Sequence, residues 1–358
     1  MNKMSKAGKP RALSGGCGWL KILCNRGQVP SLARVFFMEK LSTLLRGALG
    51  VFLCAAFQGI TSQAAVEDGP FMKGRRFAAT DFTSGKVCIV EADGKISWSH
   101  PARNSNDVWI LPGGSLLFGV GNGVKEVSYK DNTVKFSYNG GPQAEIYATQ
   151  RLPNGNTFVG ECSTGVLKEI APDGALVHSV SLIPPAKAKG RATPGGHGFM
   201  RNARVLASGH FLLAHHDARE VAEYDAQGAK VWSFKAPAIV HSVTRLANGN
   251  TLVMGGDSGT PGVYEVTPGG KIDWQVTNSD LPGKPLRFVT GFHVLPNGNI
   301  LVSNWLGHKQ FGKAPHLLEI TRSKKIVWIY NDHKQFKTIS SVHVFGDGDA
   351  PLSSEGVH

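Results

Sequence analysis

Residues 151–160 read RLPNGNTFVG, and nearly the same words return at 245–254 as RLANGNTLVM and at 294–303 as VLPNGNILVS. An Asn-Gly pair between two alternating apolar runs signals a β-hairpin, because Gly takes the positive φ that a tight turn needs. Looser copies stand at 108–119 (VWILPGGSLLFG) and 202–214 (NARVLASGHFLLA), and a degraded one begins at Ser341. A second word alternates with the first, as in GVYEVTPGGKIDW at 262–274. Its closing position reads Trp98, Phe136, His178, Trp232, Trp274 and Trp328 along the chain.

Two hairpins per repeat make four strands, and four strands in about forty to fifty residues make one propeller blade. The expected fold is all-β: a six-bladed β-propeller of four-stranded antiparallel blades. The chain enters the repeat at Phe77 on a second-strand word and leaves it at Ser340 on a first-strand word. The last blade is therefore expected to be closed by strands from both chain ends, which covers two sheet edges at once. Residues 65–358 are read as a single propeller domain.

The formal charge of +13 is unevenly placed. Residues 1–64 carry +8, and the rest only +5. No dense Lys/Arg run exists, so nucleic acid is not an expected partner. The segment 38–64, MEKLSTLLRGALGVFLCAAFQGITSQA, has a positive start, an apolar run from Gly47 to Phe57 and small residues at Ser62 and Ala64. That is the layout of a cleaved signal peptide, with an apolar run too short to span a bilayer. An exported protein, periplasmic or secreted, with no stable membrane anchor after cleavage is expected. Residues 1–37 read as a non-structural upstream extension, with Met38 an alternative start. Of five cysteines, only Cys88 and Cys162 follow the cleavage point. They fall on non-adjacent repeats and are expected to be buried free thiols.

The longest departures from the repeat are two loops. One runs from His178 to Leu206 and carries Lys187, Lys189, Arg191, His197, Arg201 and Arg204. The other, LGHKQFGKAP, begins at Leu306. Both belong to connections on the same face of a propeller, around one mouth of its channel, and long loops tend to carry function. His197, His215, His216 and His241 fall at or near that mouth. His293 and His343 keep repeat register and are expected to bond neighbouring blades. His215 and His216 should point to opposite sides of their strand. Basic residues here, with Arg245, would favour an anionic ligand if they point inward. Trp305 and His308, at the end of a strand and in the loop after it, join Arg201, Arg204 and His215 as ligand-binding candidates. Asp81, Asp217 and Asp257 follow second strands and fit loop aspartates better than a Ca²⁺ ring, so no metal site is expected. No nucleophile, metal or phosphate-loop motif is present, and no cofactor is indicated.

HSVTRLANGNTLVMGG from His241 resembles the first-strand word of six-bladed bacterial propellers similar to the arylsulfotransferases, and more loosely the PQQ-like (quinoprotein-like) and NHL-type repeat proteins. RNARVLASG from Arg201 resembles the same strand with Arg in the place of the His. The resemblance implies that His241 is a nucleophile or acid/base, with Arg204 an anion clamp; His197, in the long loop, is a second catalytic candidate. The ending MGGD departs from the enzymes' pattern, and sharing a propeller does not imply sharing a reaction. Three functions stay open: a monomeric propeller that binds a small or extended ligand at one channel mouth, an arylsulfotransferase-like or lyase-like enzyme, and a scaffold for protein partners.

Overall fold

The computed structural model describes residues 74–182 and 190–354. The expected upstream extension and signal peptide, and Lys187 and Lys189, lie outside the described residues. The described residues belong to one compact unit, Gln63–His358.

Among the described residues, all but a single 3-10 turn of the regular structure is β-strand. β24 (Ser341–Val344), from the end of the chain, pairs with β1 (Phe77–Asp81), followed by β2 (Lys86–Val90) and β3 (Ile96–Pro101). The next run is β4 (Val108–Leu111), β5 (Ser115–Val120), β6 (Gly123–Ser128) and β7 (Val134–Asn139). Then come β8 (Ile146–Arg151), β9 (Thr157–Glu161), β10 (Val166–Ile170) and β11 (Leu176–Ser181). The fourth run is β12 (Asn202–Val205), β13 (Phe211–His215), β14 (Glu220–Tyr224) and β15 (Lys230–Lys235). The fifth is β16 (Ala238–Arg245), β17 (Thr251–Gly259), β18 (Gly262–Val266) and β19 (Ile272–Thr277). The last is β20 (Phe288–Val294), β21 (Ile300–Trp305), β22 (Leu317–Ile320) and β23 (Ile326–Tyr330). A single bridge, Gly256↔Phe288, joins the fifth run to the last. All pairings are antiparallel, and the fold is a β-propeller. The first strands are successive neighbours from β8 through β12, β16 and β20 to β24, and β24 packs on β4.

The hydrophobic core lies between neighbouring runs rather than in one centre. Leu212 and Val221 of one run, for example, cluster with Val243, Val253 and Tyr264 of the next. Each such fully buried side chain contributes about 2 kcal/mol.

The repeated words have a common physical role. In the turn at 151–156, Gly155 N–H bonds Leu152 O at 3.0 Å, and Gly155 sits at φ 88°. Only the Gly is left-handed, so the turn is a type I turn closed by a Gly bulge. Asn156 donates to Glu169, as Asn250 does to Glu265 and Asn299 to Glu319. The aromatic of the second word stands directly opposite that Glu in the ladder, as in Glu265↔Trp274 and Glu319↔Trp328, with a register shift immediately after it. An Arg from the next run then closes onto the pair. Arg245 binds Glu223 at 2.6 Å with its guanidinium 5.5 Å from the Trp232 ring. Arg151 does the same with Glu126 and Phe136. Arg245 is thus a latch between runs and does not make the mouth basic.

The expected strand-to-strand bonds of the register histidines are present. Ile110 N–H donates to His343 Nδ1 at 2.9 Å and Val344 N–H to His293 Nδ1 at 3.0 Å. Cys88 and Cys162 are buried free thiols.

Candidate functional site

A β-bulge inserts one extra residue in a strand and re-aims its side chain. In β8 the register slips between Ile146 and Ala148, in β16 between Val240 and Ser242, and in β20 between Val289 and Gly291. The inserted residues are Tyr147, His241 and Thr290, and all three line one cavity of about 340 Å³. Each stands five residues before the Leu of its repeat word, and so do Asn106 and Arg201, which line the same cavity. The repeat register therefore delivers one side chain from each of five runs to a single pocket.

The loops complete it. Phe288 and Trp305 form an aromatic wall with Phe82, ring centroids 5.8 and 6.2 Å from Trp305. His197 and His308 come from the two long connections and His216 from the short turn after β13, and they line the pocket with Arg191, Asp217 and Asp257. Three of these imidazoles are held by a carboxylate at Nδ1: His197 by Glu145 at 2.6 Å, His216 by Asp217 at 2.6 Å, and His308 by Asp257 at 3.0 Å. His241 Nδ1 donates instead to the carbonyl of Thr290 at 3.0 Å. A carboxylate on Nδ1 fixes the proton there and turns Nε2 into the acceptor. In His197 that acceptor takes a hydrogen bond from Arg201 Nη2. Arg201 also lies over the Tyr147 ring, 4.4 Å from its centroid.

Glu145 is the hub of one side of the pocket, accepting from Tyr147, Ser163 and His197. Burial alone would raise its pKa, but these hydrogen bonds and the Arg201 charge outweigh burial and hold it at about 2. His216 has its pKa lowered, because burial outweighs the hydrogen bond to Asp217. It is a neutral base facing the cavity. Charge in the pocket is locally compensated. Arg191 Nε lies 3.1 Å from Asp217, and Arg201 Nη1 lies 3.9 Å from Glu145.

The sequence candidates divide on this geometry. His197, His241, Arg201, Trp305 and His308 are brought together in the pocket. Arg204 and His215 do not line it. Arg204 is turned inward and forks onto Asp107 at 3.0 and 3.1 Å, both side chains buried. His215 lies between sheets, bonded to Phe199 O and Tyr224 Oη, because strand alternation gives the cavity to His216 instead. Asn106, Tyr147 and Thr290 were not singled out as site residues, although counting back from the Leu of each word finds all three. Glu145, Phe82 and Phe288 carry no such signal: Glu145 and Phe82 lie just outside strands, and Phe288 opens β20, seated by its bridge to Gly256. Asp81, at the end of β1, satisfies local backbone, accepting from the N–H groups of Ser84, Lys337 and Thr338. Among the described residues, no group of three or more His, Cys, Asp or Glu side chains is arranged to hold a metal ion.

No protein-family model matches the chain, and no curated protein matches it. Solved structures do. A protein of unknown function from Bacteroides caccae is 24% identical, with a TM-score of 0.67 over 78% of this chain and 99% of its own. Virginiamycin B lyase from Staphylococcus aureus is 14% identical, with a TM-score of 0.49 over 73% of this chain and 82% of its own. The WD40 propeller domain of Doa1 is 14% identical, with a TM-score of 0.47 over 63% and 70%. The likeness is one of fold alone and says nothing about chemistry.

Proposed function

We propose that the protein is an exported propeller that binds a small ring-bearing ligand at one mouth of its channel. The observation that carries this reading is the shared register: five repeats, otherwise used for packing, each present a large or polar side chain to the same cavity. Concave sites with an aromatic wall and a few placed polar groups are the usual form of ligand pockets. Because Arg191 and Arg201 each face a carboxylate, the mouth pocket is better suited to a polar ring than to a simple inorganic anion. A thermal-shift panel of small molecules on wild type, His197→Ala and His216→Ala tests the reading. A ligand whose stabilisation disappears in both variants supports it, and hits that ignore every pocket variant count against it. N-terminal sequencing of protein recovered outside the cytoplasm tests export, with cleavage near Ala64 expected.

A second reading, enzymatic, is favoured by the imidazole–carboxylate pairs. His216 is arranged as an oriented base, its Nδ1 held by Asp217, and the arylsulfotransferase-like resemblance assigns the acceptor role to His241. Turnover of an aryl sulfate donor that is lost in His241→Ala would favour it. Absence of turnover in the wild type would remove sulfuryl transfer.

A further inference from the structure

Behind the aromatic wall lies a second cavity of about 160 Å³. It shares Asp257, Phe288 and Trp305 with the mouth pocket and adds Pro261, Arg287 and Gln310, so the two spaces adjoin. Two glycines build the wall between them. A Cβ on Gly256 would fall 2.6 Å from Arg287 O and 3.0 Å from Phe288 Cα. Without one, β17 and β20 approach closely enough to form the Gly256↔Phe288 bridge that seats Phe288. A Cβ on Gly307 would collide with the Trp305 six-membered ring at 2.2 Å, so the loop backbone lies flush on that ring.

Arg287 differs from the other arginines of the site. Its Nη1 donates to Lys284 O and Leu286 O at 2.7 and 3.1 Å, and no carboxylate of the described residues lies within ion-pair distance of it. Asp257, the acid of this cavity, is engaged by His308. A guanidinium without a carboxylate partner among the described residues therefore lines the cavity that adjoins the mouth pocket. The mouth pocket is lined by two carboxylates (Asp217, Asp257), two guanidiniums (Arg191, Arg201) and the Asn106 amide, so acceptors and donors are both present and the formal charges balance. That suits hydroxyl groups, which both donate and accept. Trp305 and Phe288 offer flat apolar surface beside them.

We propose that the two cavities are one site for a short acidic sugar chain. One ring sits in the mouth pocket among His197, His216 and Arg201, the chain crosses the Trp305–Phe288 wall, and the carboxylate of the next ring is held by Arg287. The proposal rests on the mouth pocket being the binding site and names the ligand class for it.

Titration calorimetry on the full chain tests it with galacturonate, digalacturonate and neutral lactose. Digalacturonate is expected to bind about tenfold or more tighter than the monosaccharide, the size of one added charge-assisted bond. Lactose is expected to be weak. Arg287→Gln should erase the gain from the second ring and leave monosaccharide affinity in place, and Arg287→Lys should keep part of it. Equal affinities for one and two rings, or indifference to Arg287→Gln, overturns the proposal, as does absence of binding by all three sugars. A parallel panel of aromatic acids and nucleosides separates the two levels. If one of these binds and loses affinity in His216→Ala while no sugar binds, the mouth pocket stands and the sugar proposal falls.

Discussion

Arg204 and Asp107 form a buried two-pronged ion pair, 3.0 and 3.1 Å, that ties the fourth run of strands to the second. The same carboxylate accepts the Thr149 N–H at 2.9 Å, so three runs meet at one side chain. Removing one partner leaves a buried charge without compensation. Arg204→Ala should therefore lower stability by about 3–5 kcal/mol in urea denaturation. The pair Arg204→Leu with Asp107→Asn, which keeps an acceptor for Thr149, should recover most of that loss. A small effect of the single change would show that the pair does not hold the ring.

His215 and His216 are adjacent in sequence and opposite in role. His215→Ala removes bonds to Phe199 O and Tyr224 Oη inside the packing, and a cost of about 1–3 kcal/mol is expected with ligand affinity little changed. His216→Ala should leave the melting temperature nearly unchanged and weaken whatever binds the pocket. The reverse pattern would overturn the site as drawn.

Gly255 is required by close approach. A Cβ there would sit 1.9 Å from Ile239 O in β16. Gly255→Ala should force the β16–β17 pair apart and destabilise by about 1–3 kcal/mol. Gly113→Ala, at a turn with nothing within 4 Å, should cost less, through its φ of 89° alone. Denaturation midpoints of the two variants check the ranking.

Acid should unfold the protein over a defined window. Burial lowers His215 and His316 to about 4 and His293 to about 3, from an ordinary 6.5. The folded state keeps these rings neutral, whereas the unfolded chain takes up their protons below 6.5. Their stabilising contribution is complete above pH 6.5 and is lost as pH falls toward 4 and 3. Glu145, held near 2, extends the same trend below 4.5. Melting temperature should fall steadily from pH 7 to 4, and His316→Phe, which packs beside Phe336, should flatten the slope. A melting temperature constant over that range would contradict it.

Neither thiol of the propeller should react in the folded state. Burial pushes Cys88 up to about 12 and Cys162 higher still. A thiol reagent at pH 8 should label neither residue natively and both after denaturation, with peptide mapping as the readout. Native labelling of either would show that its sheet opens.

The repeat made the strands legible because hairpins are local. Asn-Gly turns, alternating apolar residues and the Glu–Trp ladder position act over a few residues, and the ring follows from their order. The site was half legible for the same reason. His241, Arg201, Tyr147, Asn106 and Thr290 occupy one register position, so a count along the chain points at the cavity. What that count cannot give is direction: the bulge at His241 turns its side chain to the mouth, whereas Arg204, three residues beyond Arg201, turns to Asp107.

The sequence by itself determined the strand order, the closure of the ring by both chain ends, and the face on which the long connections lie. Only the tertiary structure decided which charges remain. Arg204, Arg245 and Arg201 are equally basic as letters, but Asp107, Glu223 and Glu145 reach them from other runs, far away in sequence. Arg287, which no motif marks, has no acid of the described residues folded against it. Ion pairing depends on separations of a few ångströms between distant segments, and packing alone fixes those distances.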